Sequence, residues 1–299
     1  MLKNKNVFLL GEDIRDPFGG CFNVTKNLST EFPDRVLNMP ISESSFTGMA
    51  IGMAMQGFRP IVEIMFSDFL TLCVDQIINH ANVFFGIGLV NVPVLIRVPT
   101  GGYRNYGATH SRCMESLFFN QDVDIFAPNN FINVSKELEK LILTIEKPAL
   151  FLEHKTLYPK RVANNYYKKF NFLEINNINN TLFFKNKDGK NSLVTLIVYG
   201  GMLQVALDTL YILNEKGISA NIICEYNINL KAPPTFSYSS NVFTIEENLT
   251  QFGWGQNVSK NINKKVINLG LSHLPIEFAD EEKQLPNSKE IAEFILRIL

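Results

Sequence analysis

Short apolar runs bounded by glycine and proline, alternating with segments of helical period, are what most limit the folds open to this chain. One such run, Val7-Phe8-Leu9-Leu10, is closed by Gly11-Glu12-Asp13. Residues 61–65 and 93–98 form two more, and between them Leu70, Val74, Ile77, Ile78, Ala81 and Phe85 recur at helical spacing. An alternation of strand, helix and strand predicts a mostly parallel sheet covered by helices. Residues 133–145 predict a further helix, and residues 149–153 the strand after it. At 299 residues, 46% of them hydrophobic and 24 of them Phe, the chain is long enough for two domains with sizeable interiors.

The later part reads as a second, smaller α/β unit. Residues 164–180 hold seven Asn, and a polar stretch with Asp188-Gly189 as a turn follows. The expected division is 1–163, a linker over 164–191 with a hairpin through residues 181–184, and a second domain over 192–299. In that domain residues 192–201 predict a strand, and Leu203, Ala206, Leu207, Leu210 and Leu213 a helix stopped by Gly217. Residues 221–224 and 242–245 predict two more strands, and residues 291–299 a closing helix.

The formal net charge is −1 and no basic stripe occurs, which excludes a dominant nucleic-acid surface. No apolar segment approaches the length that spans a bilayer. The basic-then-apolar start lacks a small-residue cleavage site, so it reads as a first strand and not a signal peptide. The four Cys, none in Cys-x-x-Cys spacing, read mostly as core residues, in a protein of the reducing cytoplasm. Gly-x-Ser-x-Gly, His-Glu-x-x-His and Cys/His clusters are all missing, so hydrolase and zinc readings lack support. No metal ligands are expected in this chain.

Three constellations could carry chemistry. The first is Pro40-Ile41-Ser42-Glu43, ahead of a small-residue helix with Gly48, Ala50, Gly52 and Ala54. Glu43 is either a first-turn carboxylate capped by Ser42, as helix starts often are, or an acid placed for a partner that exchanges a proton. The second is the pair Phe66 and Phe69 after a strand, spaced to share one side of a turn. The pair either stacks on a flat heterocycle or packs in the core. The third is the loop Gly101-Gly102-Tyr103-Arg104-Asn105-Tyr106-Gly107-Ala108-Thr109-His110, flexible and polar, at the end of a strand. It matches neither a Walker loop nor Gly-x-Gly-x-x-Gly. His110 can exchange protons near neutral pH, whereas His80, His154 and His273 read as structural.

In order and spacing these pieces resemble the beta subunit of the thiamine-diphosphate-dependent decarboxylase component of 2-oxo-acid dehydrogenase complexes. The matching segments include Gly11-Glu12-Asp13-Ile14, Phe18-Gly19-Gly20, Arg35-Val36, Pro40-Ile41-Ser42-Glu43, Gly57-Phe58-Arg59-Pro60-Ile61-Val62-Glu63, Asp75-Gln76-Ile77-Ile78-Asn79 and Thr109-His110-Ser111. The second domain adds Thr244-Ile245-Glu246-Glu247 and Phe252-Gly253-Trp254-Gly255. Transketolases and deoxyxylulose-phosphate synthases share the first module. The resemblance implies an α/β fold: a pyrimidine-binding domain with a mostly parallel sheet, then a smaller transketolase C-terminal-like domain.

It also implies that Glu43 hydrogen-bonds the aminopyrimidine of thiamine diphosphate, that Phe69 and Phe66 pack on that ring, and that His110 stands on the substrate side. The family's Gly-Asp-Gly…Asn motif for the metal and diphosphate is missing, and Asn129-Asn130 cannot replace it. Mg2+ would therefore be held mainly by a separate alpha subunit carrying that motif, in an α2β2 assembly that could serve a lipoyl acyltransferase. The turn Thr144-Ile145-Glu146-Lys147-Pro148 is shorter than the family's usual form, so no potassium site is carried over. Arg112 stands where Gln is common, which leaves open an anionic substrate or a contact with solvent or partner. Two other readings are the C-terminal half of a split transketolase-like enzyme acting on sugar phosphates, and an inactive scaffold subunit.

Overall fold

Six parallel strands form the first sheet of the computed structural model, which describes residues 1–163, 170–187, 191–229, 238–273, 276 and 280–299. They are β1 (Val7–Gly11), β2 (Val36–Asn38), β3 (Arg59–Glu63), β4 (Leu95–Thr100), β5 (Asp124–Phe126) and β6 (Ala149–His154), in the order β2-β1-β3-β4-β6-β5. Every residue of β4 is buried, because helical segments cover both faces of the sheet. Those segments include α1 (Leu28–Glu31), α2 (Glu43–Met55), α3 (Val83–Gly86) and α4 (Val134–Thr144).

The single helix expected through residues 70–85 is a correction. A tight 3-10 segment (Ser67–Cys73) passes into a wide π-helix (Gln76–Asn82) and then into α3. Leu70, Ile77 and Ala81 still reach the core, so the apolar spacing held while the pitch did not.

The second sheet is mixed. It contains β7 (Leu173–Ile178), β8 (Thr181–Asn186), β9 (Val194–Tyr199), β10 (Ala220–Glu225), β11 (Asn241–Leu249) and β12 (Val266–Leu271), in the order β12-β11-β9-β10-β8-β7. β8 alone runs against the rest, pairing antiparallel with both β10 and β7. Its helices are α5 (Met202–Glu215), α6 (Trp254–Asn261), α7 (Glu281–Gln284) and α8 (Ser288–Ile298). The Asn-rich stretch expected as a linker contributes β7 and β8 to this sheet. Its turn, Asn179-Asn180, has φ of 51° and 67°, the left-handed pair that a two-residue hairpin needs. The expected turn at Asp188-Gly189 lies outside the described residues.

One core cluster runs across both sheets, joining Leu10, Val62 and Ile96 to Ile197, Tyr199, Val242 and Trp254. Trp254 is 1% exposed, stands 4.9 Å from the Tyr199 ring, and donates Nε1–H to the Ile228 carbonyl at 3.2 Å.

Candidate functional site

The first sheet reverses direction between β1 and β3. From β1 the chain crosses to β2 on one side, and from β3 it continues to β4 on the other. In parallel sheets a crevice opens at that point, beyond the carboxyl ends of the strands. Gly11 ends β1, and a Cβ there would lie 2.8 Å from the Glu63 Cβ and carbonyl oxygen. Only glycine lets the two strand ends come this close. Glu12 follows β1, α2 follows β2, Phe66 and Phe69 follow β3, the loop to His110 follows β4, and Lys155 follows β6.

Glu43 is the first residue of α2 and is 7% exposed. Among the described residues nothing hydrogen-bonds its side chain. Ser42 flanks the helix but does not cap it, a correction to the sequence expectation: its hydroxyl donates to Ser45 Oγ at 2.8 Å. Glu12 is buried as well, and its Oε1 has no partner among the described residues. Burial raises the Glu12 pKa, and the neighbouring Glu43 and Asp13 push it the same way.

The aromatic pair and the histidine form one cluster. Phe66 and Phe69 meet edge to face with centroids 6.0 Å apart. The His110 ring lies 4.6 Å from Phe66 and 5.4 Å from Phe69, nearly perpendicular to both. Glu43 joins the same edge through α2. Thr47, one turn further along that helix, donates to Cys73 Sγ at 3.3 Å, and Cys73 is one turn beyond Phe69. Both segments start at the crevice and run away from it, so their first turns flank it.

Sequence reasoning missed two groups here. Lys155 is 1% exposed, donates Nζ–H to the His110 carbonyl, and stands 5.3 Å over Phe66 and 5.4 Å over Tyr106. Burial pulls its pKa below the ordinary lysine value. Asp68, buried between the two phenylalanines in sequence, accepts from Arg112 Nε at 2.7 Å. That bond engages the guanidinium whose role the sequence left open. The only signal for Lys155 was its place directly after a strand, beside a histidine.

The other histidines differ from His110. His154 is buried, with Nε2 2.6 Å from Glu247 Oε2, while His80 and His273 are exposed. Gly101 has φ of 83°, and a Cβ on it would clash with the His154 ring at Nε2. Among the described residues no set of three acidic, His or Cys side chains could hold a metal. Asn129 is spent internally, donating to Cys224 Sγ at 3.4 Å and accepting from the Phe131 N–H at 2.9 Å.

Two family models divide the chain. The family "Transketolase, pyrimidine binding domain" matches residues 1–161, and "Transketolase, C-terminal domain" matches residues 186–290. The beta subunit of acetoin:2,6-dichlorophenolindophenol oxidoreductase from Cupriavidus necator is 35% identical over 75% of this chain and 67% of its own length. A mitochondrial pyruvate dehydrogenase E1 beta subunit from Oryza sativa is 30% identical over 88% of this chain and 70% of its own. The chain belongs to this family of beta subunits.

A further pyruvate dehydrogenase E1 beta subunit, from Cyanidium caldarium, is 44% identical over 53% of this chain, and the match spans about half of that relative (49%). The fold is shared more widely. A solved structure titled "Split gene transketolase, inactive beta4 tetramer" has a TM-score of 0.70 at 19% identity, covering 99% of this chain and 92% of its own. Among the described residues of this beta subunit no helix is long and apolar enough to cross a membrane.

Proposed function

We propose that this chain supplies the pyrimidine half of a thiamine-diphosphate site in a 2-oxo-acid dehydrogenase, and that Glu43 is its activating acid. The observation that carries this is Glu43 itself, buried at a helix start on the switch-point crevice with no donor among the described residues. A carboxylate left in that state is an acceptor open to a ligand in the crevice, not one spent within the fold. The residues present fit an aminopyrimidine: an acceptor at Glu43, and aromatic surface at Phe66 and Phe69 on the other wall. Thiamine diphosphate, when bound, supplies the carbon nucleophile and electron sink for decarboxylating a 2-oxo acid.

The chain's own residues do the rest. Glu43 holds a proton at a pyrimidine ring nitrogen, and Phe66 and Phe69 exclude water from one ring face. His110 donates its ring proton on the substrate side. Lys155, fixed on the His110 carbonyl, adds positive charge behind that ring.

Lacking a metal and diphosphate motif, the chain needs an alpha-type subunit that holds Mg2+, and we propose α2β2. Ile41, two residues before Glu43, is 86% exposed on the lip of the crevice, as an apolar residue awaiting a partner chain would be. A lipoyl acyltransferase is the proposed acceptor partner, and the four unpaired thiols fit the cytoplasm. The test is reconstitution. This chain with an alpha-type subunit should bind thiamine diphosphate and turn over a 2-oxo acid. Tight binding of cofactor and metal by this chain alone would sink the shared-site reading.

A further inference from the structure

The loop that carries His110 is left-handed at four positions, which suits Gly101, Asn105 and Gly107 but not Tyr103. Gly101, Tyr103, Asn105 and Gly107 have φ of 83°, 62°, 56° and 77°. A left-handed tyrosine persists only where its surroundings over-determine it. Most of those surroundings come from the second domain. Glu247 in β11 accepts the Gly102 N–H at 2.8 Å. Glu281, the first residue of α7, accepts the Arg104 N–H at 3.2 Å, the Gly107 N–H at 3.2 Å and the Ser111 hydroxyl at 2.9 Å. The Tyr103 hydroxyl donates to the Pro286 carbonyl at 2.7 Å. Both acids are buried, Glu281 completely and Glu247 to 3% exposure.

We propose that Glu281 and Glu247 are positioning residues: the second domain clamps the left-handed loop and so fixes where the His110 ring stands against Phe66 and Phe69. The catalytic consequence rests on the His110 reading above, whereas the clamp does not. A carboxylate suits the task because its two oxygens accept all three donors at once. An amide of the same size has one acceptor oxygen and would turn an NH2 group towards N–H or O–H donors. The arrangement gives the second domain a part in the chemistry although none of its side chains need touch the substrate.

The test is Glu281→Gln in the full chain, followed by hydrogen exchange over residues 102–111. Exchange there should quicken about tenfold or more, while β9, β10 and β11 keep their protection. In the reconstituted complex kcat should fall about tenfold with KM for thiamine diphosphate unchanged, because Glu43 and its helix are untouched. Wild-type protection of the loop overturns the clamp. Faster exchange with an unchanged kcat overturns the positioning role. If Glu281→Gln loosens the whole second domain, Ser111→Ala decides, since it removes one donor and leaves the acid in place: faster loop exchange supports the clamp, and unchanged exchange overturns it. Full turnover in His110→Ala would defeat the catalytic reading and leave the exchange result standing.

Discussion

Glu43 and Glu281 are each the first residue of a helix, and each is buried, yet their surroundings are opposite. Glu281 accepts three donors from the His110 loop, whereas Glu43 accepts none among the described residues. The contrast separates two uses of a buried carboxylate. Where the protein fills the acceptor, the acid is a latch, and its loss is felt as stability and reaches the rate only through the loop it holds. Where the protein leaves the acceptor open on a crevice, the acid is free for a ligand, and its loss is felt as function.

The largest effect should come from Glu43→Gln. Turnover of the assembled complex should drop about a thousand-fold, the range of a lost proton-transfer group, with assembly and thermal midpoint unchanged. Wild-type turnover in that variant would erase the contrast from one side. Glu281→Ala tests the other side. It orphans three donors and should lower the unfolding free energy by about 3 kcal/mol or more in a denaturant titration. A loss under about 0.5 kcal/mol would show that the latch holds nothing.

Glu225 sharpens the comparison as an intermediate case, buried with one partner, the Thr181 hydroxyl at 3.2 Å. Burial pushes its pKa up to about 7 from an ordinary 4.5. The folded state therefore holds this proton more tightly than the unfolded state does. Its contribution to stability is complete below pH 4.5 and is lost as the pH rises through about 7. Glu225→Gln should remove that dependence and exceed the parent by about 3 kcal/mol above pH 8, with no gain near pH 4. Parallel stability–pH curves for the two proteins would contradict this. The smallest effect belongs to Phe69→Ala, which should weaken thiamine diphosphate binding by the complex about tenfold. Equal titration midpoints would remove Phe69 from the cofactor wall.

The sequence made the first sheet legible because its strands are covered on both faces and so are continuously apolar, β4 above all. β2 and β5, three residues each, carry too little pattern to be read, and β12 is only half-buried along most of its length. Phe66, Phe69 and His110 were legible as neighbours because each follows a strand in a parallel sheet, where loops converge on one edge. Glu43 was legible as a helix start, but its lack of a protein partner was not, since that depends on what the rest of the chain fails to bring near it. Lys155 and Glu281 were missed for a related reason. Each acts across more than forty residues of sequence, on a backbone atom, which no local pattern encodes.

Trp254 is the only tryptophan in the chain, and it sits where the two sheets share one core. Indole emission is bluest when the ring is dry and moves to longer wavelength as water reaches it. The unmodified protein thus carries its own optical gauge at the seam between its halves, one that reads whether that seam stays shut.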